Sequence, residues 1–202
     1  MSAKKNKQKQ AKIRSFIAID LPEDLKEELK KFQSRLKKSK ADVKWVRPES
    51  MHITLRFLGY LTPEEIEKAK TAINTVAKRF APFQIQVRGW GTFPEKGRPR
   101  VIWTGLEQGA EILEQIFNQL EKELVKLGFD KADKKFVPHL TLGRIKTSKN
   151  LKDLIEYLNK EGTKTYGNFW AEKVVLFKSD LKPEGAIYSI IKDEPFSAQK
   201  EG

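Results

Sequence analysis

The chain has 202 residues, of which 39% are apolar and 33% charged, with a net charge of +13. It has no cysteine, which excludes a disulfide framework, a zinc ribbon and a thiol nucleophile. No apolar run reaches membrane-spanning length and Met1–Arg14 lacks the apolar middle of a signal peptide, so a cytoplasmic protein is expected. Met1–Arg14 holds six cations and no acid, yet the body beyond it is basic as well. That balance suits a polyanionic partner, nucleic acid first, and equally a simple need for solubility.

In chain order, residues 1–13 read as a basic flexible arm. Ser15–Leu21 has strand length and is closed by Pro22. A helix follows with Leu25, Leu29, Phe32 and Leu36 on one face. Val43–Val46 is extended, and His52–Leu58 is a strand ended by Gly59. Thr62-Pro63-Glu64-Glu65 is a capping box that opens a second helix, stopped before Pro82. Phe83–Val87 alternates as a strand, and Trp90–Pro99 reads as a Gly- and Pro-rich connection. Arg100–Leu106 is a strand, Ile112–Leu127 a long amphipathic helix, and Phe136–Ile145 another strand. A fourth helix carries Leu151, Leu154, Ile155 and Leu158. Trp170–Lys178 and Ile187–Ile191 are expected as the last strands, and residues 193–202 as a tail.

A duplication shows in that order. Each half, roughly 14–95 and 99–192, runs strand, helix, strand, helix, strand. Phe16–Leu21 matches Val101–Leu106 at an offset of 85, and His52 matches His139 at an offset of 87. One unit copied once is not a solenoid, which needs at least three short repeats. The expectation is an α+β fold, a single bilobal domain over 14–192. Its two pseudo-symmetric lobes would each hold a mainly antiparallel sheet and helices, with the site in the cleft between them.

The chain's only two histidines sit in matching patterns, His52-Ile53-Thr54-Leu55 and His139-Leu140-Thr141-Leu142. Residues i and i+2 of a strand share a face. His52 with Thr54, and His139 with Thr141, therefore face away from their apolar neighbours. Either motif alone is ordinary strand decoration; two at matching points of a duplication are not. Imidazole titrates near neutrality, so one histidine can take a proton while the other gives one. Threonine hydroxyls can hold the oxygens of the reacting group. That combination suits displacement at phosphorus without a metal, and neither histidine has a metal-binding pattern beside it.

With its flanks, this pattern resembles the two-histidine (2H) phosphoesterase superfamily and, within it, the LigT-like branch. The flanks are Phe16–Pro22, Trp45–Glu49, Gly91–Pro94, Pro99–Trp103 and Pro138–Arg144. The resemblance covers roughly Arg14–Ile191. It implies an RNA 2′,3′-cyclic phosphodiesterase, also called a 2′-5′ RNA ligase, that needs no cofactor and no metal. It implies hydrolysis of a 2′,3′-cyclic phosphate end to a 2′-phosphate, with His52 as proton donor and His139 as proton acceptor. Thr54 and Thr141 would hold the phosphate.

Arg56 lies four residues after His52, on the cleft face of an unbroken strand, and is a phosphate-binding candidate. Arg144 has the wrong parity for the cleft unless a bulge near Gly143 turns it back, and it is kept as a second candidate. Phe57, Trp90 and Phe93 are candidates for stacking a base, with core packing as the plain alternative. Lys96, Arg98 and Arg100 read equally as RNA-backbone contacts or a solvated loop. The expected partner is RNA with a cyclic phosphate end, bound by a monomer. The rival functions are 2′-5′ ligation by the reverse reaction, a phosphodiesterase for small cyclic nucleotides, and a non-catalytic RNA-binding module.

Overall fold

The structure is a computed structural model that describes residues 11–183 and 185–198. Most of the expected arm, residues 1–10, lies outside the described residues. The elements run β1 (Ile13–Asp20), α1 (Glu23–Lys37), β2 (Val43–Trp45), a 3-10 turn (Pro48–Ser50), β3 (His52–Leu61), α2 (Pro63–Ala77) and β4 (Phe83–Phe93). They continue with β5 (Val101–Leu106), α3 (Ala110–Lys126), β6 (His139–Ile145), α4 (Leu151–Glu161), β7 (Thr165–Ala171), β8 (Lys173–Lys182) and β9 (Gly185–Pro195).

Local signals account for most of these elements. Leu25, Leu29, Phe32 and Leu36 recur at helical spacing and are all buried, so α1 forms by laying that stripe on the sheet. Thr62 caps α2: its hydroxyl accepts from Glu65 N at 3.3 Å, and Glu65 Oε2 accepts from Thr62 N at 2.7 Å.

The nine strands make one sheet in the order β7-β4-β5-β6-β3-β1-β8-β9, with β2 added against β6. Every pairing is antiparallel. The fold is α+β, as the sequence implies. Its two lobes are β3-β1-β8-β9 and β6-β5-β4-β7, and they meet at the single pair Ile53↔Leu140.

The lobes are not the two halves of the sequence. β4 follows α2 in the first half but pairs with β5 and β7 in the second lobe. β8 and β9 come from the second half, and β8 pairs with β1 in the first lobe. Helices exchange in the same way: α1 packs on α4 and β7, and α2 on α3, β8 and β9. Ile17, Ile19, Ile53, Leu55, Leu140 and Leu142 point into one large core with these helices. A small second cluster, Phe16, Ala18, Val175 and Phe177, forms on the opposite face.

Several boundaries differ from the expectation. Ile13, expected in the arm, already pairs with Leu61 in β1. β3 continues past Gly59 to Leu61. β4 continues to Phe93 because Gly91 lets it lie against Trp103; a Cβ there would overlap the indole. The segment expected as one strand from Trp170 is two, β7 and β8, broken at Glu172. Residues 193–196, expected in the tail, are not: β9 runs to Pro195, and Phe196 is buried against Phe80 and Phe83.

Candidate active site

β3 and β6 meet at Ile53↔Leu140, so the residues flanking that pair come together on the open face of the sheet. A cavity of about 170 Å³ lies there, lined by His52, Thr54, His139 and Thr141, with Phe57, Arg144 and Tyr188 around them. The parity argument that placed both His and Thr pairs on one face therefore holds in space.

Each imidazole is held the same way. His52 Nδ1 lies 2.9 Å from the carbonyl oxygen of Ser50, and His139 Nδ1 lies 2.7 Å from that of Val137. A carbonyl only accepts, so Nδ1 carries the proton and Nε2 is left to exchange protons with a ligand. Aromatic rings fix the planes. His52 sits 4.6 Å from Phe16 and edge-on to Tyr188 at 5.2 Å. His139 sits edge-on to Phe93 at 5.0 Å and to Trp103 at 6.2 Å.

Burial lowers the pKa of both rings. For His52 it pushes the value to about 4; the Ser50 carbonyl and Asp20 oppose that shift, while His139 and Lys26 add to it. For His139 burial also lowers the value, the Val137 carbonyl opposes, and Arg144 adds to the lowering. Without an anion in the cavity both rings are thus neutral at pH 7. An anion bound there would supply the opposite charge that lets one of them hold a second proton.

Both strands carry a bulge at the same place. In β3 the register skips Leu55, so Thr54 faces Ala18 and Phe57 faces Phe16. In β6 it skips Leu142, so Thr141 faces Trp103 and Arg144 faces Val101. A bulge inserts one residue and inverts the alternation beyond it. The residue five after each histidine therefore returns to the cavity: Phe57 in one strand, Arg144 in the other. Gln33 on α1 holds the second bulge by donating to Leu142 O and Val46 O, each at 2.8 Å.

The same bulge corrects the placement of Arg56. It turns Arg56 to the helical face beside Ile17, where its Nε lies 2.5 Å from Glu121 of α3 and its Nη2 donates to Asp130 O. Arg56 is a structural ion pair and does not line the cavity. Trp90 takes the core-packing alternative: it packs against the main core. Phe93 supports the His139 ring and is absent from the cavity wall. Phe57 is 53% exposed and lines the cavity, so it is free to stack. Arg98 and Arg100 line a separate groove with Lys146.

Tyr188 of β9 is the residue the sequence reading lacks. It belongs to no motif, and only the pairing of β9 with β8 and of β8 with β1 carries it to His52. Among the described residues no three His, Cys, Asp or Glu side chains gather as a metal-holding group. The titratable side chains lining the cavity are the two imidazoles, Arg144 and Tyr188.

Comparisons with known proteins give the chain a family. The family model described as LigT-like phosphoesterase matches the chain twice, over residues 19–103 and 105–188. A Methanocaldococcus jannaschii protein named RNA 2′,3′-cyclic phosphodiesterase is 38% identical over 181 residues, covering 90% of this chain and 99% of its own. A Methanothermobacter thermautotrophicus protein of the same name is 35% identical over 178 residues, covering 88% and 96%. Among solved structures, TT0787 of Thermus thermophilus superposes with a TM-score of 0.78 at 27% identity, over 93% of this chain and all of its own. Escherichia coli LigT, solved with 3′-AMP, shares the fold at a TM-score of 0.70 and 22% identity, over 92% of this chain and 99% of its own.

Proposed function

The chain belongs to the LigT-like phosphoesterase family, and from that membership and its paired histidines we propose that it hydrolyses RNA 2′,3′-cyclic phosphate ends without a metal. The observation that carries this reading is the shared cavity. Two imidazoles, each with Nδ1 tied to a carbonyl two residues back, face it together with two threonine hydroxyls.

In the proposed step His139 Nε2 takes a proton from water, and the water oxygen attacks phosphorus. The bond from phosphorus to the 3′ oxygen breaks in line, and His52 Nε2 gives that oxygen its proton. The product carries a 2′-phosphate and a 3′-hydroxyl. Thr54 and Thr141 donate to the non-bridging oxygens, and Arg144 offsets their charge. The division of roles is the one the family resemblance implies, and the flanking strands differ in the sense it requires. Asp20 stands directly opposite His52, whereas Gly105 stands opposite His139. A carboxylate beside His52 favours its protonated form, and Arg144 beside His139 favours the neutral one.

The test is phosphorus NMR of a 2′,3′-cyclic mononucleotide with protein dialysed against chelator. The expected product is the 2′-phosphate alone. Activity lost to the chelator and restored by a divalent ion, or a 3′-phosphate as sole product, would overturn the reading.

A further inference from the structure

The nine arginines divide cleanly. Arg35, Arg56, Arg79 and Arg88 each pair with a glutamate. Among the described residues, Arg14, Arg47, Arg98, Arg100 and Arg144 have no carboxylate partner, and three of these five meet in one groove. That groove, of about 290 Å³, opens beside the catalytic cavity and shares Val46, Ser50, Arg144 and Tyr188 with it. Arg14, Lys44, Arg47 and Arg144 line it, and no carboxylate among the described residues does.

One of these neighbour pairs works against the fold. Lys44 of β2 is the direct cross-strand partner of Arg144 of β6. Like charges directly opposite each other destabilise a sheet, and β2 is only three residues long. Gly143 makes the approach possible: a Cβ there would lie 2.6 Å from Val43 Cγ1 and 3.1 Å from Trp45. A locally unfavourable pairing with no compensating acid marks a place where the missing charge is supplied by a ligand.

We propose that this groove binds the phosphodiester preceding the cyclic end of an RNA strand, so the enzyme reads an oligonucleotide rather than a lone nucleotide. The proposal rests on the function assigned to the adjoining cavity. A strand whose terminal phosphate sits between the histidines leaves past Arg144 and Tyr188, the residues common to both spaces. Its next phosphate then meets Lys44, Arg47 and Arg14. Tyr188 and Trp45, on the same wall, give apolar faces to the base between the two phosphates. The binding is electrostatic and carries little sequence preference.

The test compares kcat/KM for 2′,3′-cyclic AMP and for a trinucleotide ending in the same cyclic phosphate, across a range of salt. The parent protein is expected to favour the trinucleotide by about tenfold or more at low salt. Lys44→Gln, alone and with Arg14→Gln, is expected to cut that ratio severalfold and to lower the salt slope by about one for each phosphate no longer neutralised. Lys44→Gln should also raise Tm, because it removes the repulsion with Arg144, and that rise shows the variant is folded. A ratio unchanged in the variants overturns the groove. A parent inactive on both substrates overturns the reading of the cavity instead. The groove is then judged by fluorescence anisotropy with the trinucleotide bearing an ordinary 3′-phosphate, where equal Kd for parent and variant refutes it.

Discussion

β3 and β6 share a backbone plan and differ in what stands around it. Both carry a histidine bound to the carbonyl two residues back, a threonine two residues on, and a bulged leucine after that. The bulge returns the fifth residue after each histidine to the cavity, where β3 presents Phe57 and β6 presents Arg144. Opposite the histidines the first lobe has Asp20 and the second Gly105. In the proposed reaction the shared plan brings two proton carriers to one phosphorus. The differences let one reactive end be apolar and the other cationic, so a nucleotide with distinct base and phosphate ends fits in one direction.

The largest effect should come from removing what the strands share. His52→Ala and His139→Ala are each expected to lower kcat by on the order of 10²–10⁴, with the double variant little worse than the poorer single. A folded His139→Ala protein with near-parental turnover would refute the pairing. Next comes what they do not share. Arg144→Ala should lower kcat by on the order of 10–10³ through lost charge on the phosphate. Phe57→Ala should instead raise KM, by an amount reflecting about 1–3 kcal/mol of stacking, with kcat nearly kept. The same kinetic pattern for both variants would remove the proposed polarity.

Stability should sense His52 as well. Its folded pKa lies near 4, below the unfolded value of 6.5. Between those values the unfolded chain binds the extra proton and the native chain does not, so stability falls as pH drops from about 6.5 toward 4. The loss is on the order of 3 kcal/mol, at 1.36 kcal/mol per unit. His52→Asn should flatten the denaturation midpoint across that window, and an unchanged slope would count against the burial effect. The smallest expected effect is from Asp20→Asn. Without the carboxylate the alkaline limb of the kcat profile, set by the proton donor, should move to lower pH. A shift of the acid limb instead would exchange the roles of the two histidines.

Side chains fixed by local alternation were legible in the sequence. His52, Thr54, His139 and Thr141 lie before the bulges, and strict parity placed all four. Beyond a bulge parity inverts, and no residue type announces that at Leu55. Arg56 was therefore expected in the cavity and lies against α3. For Arg144 the glycine beside it gave the hint, although the skipped residue is Leu142. For Trp90 stacking and core packing both stayed open, because composition cannot tell a core aromatic from a cleft one. The strand exchange had no local signal either. Hydrophobic alternation says that β4 and β8 are half-buried but not which neighbour each will choose, and Tyr188 depends on that choice.

The exchange also sets when the site can exist. β1 lies between β3 and β8, and Arg14 of β1 donates to Ser179 of β8, 165 positions away. At about 5–20 residues per second of synthesis, the first strand waits on the order of 10–30 s for that neighbour. Until then its edge is open to pairing with other chains. Non-local pairing of this kind slows folding as well, since loop closure must precede the contacts that repay it. His52 gains the Tyr188 wall only when β9 closes on β8. A nascent chain thus holds both histidines well before it holds a complete cavity, and RNA ends meet a competent enzyme only after the last strands have been made.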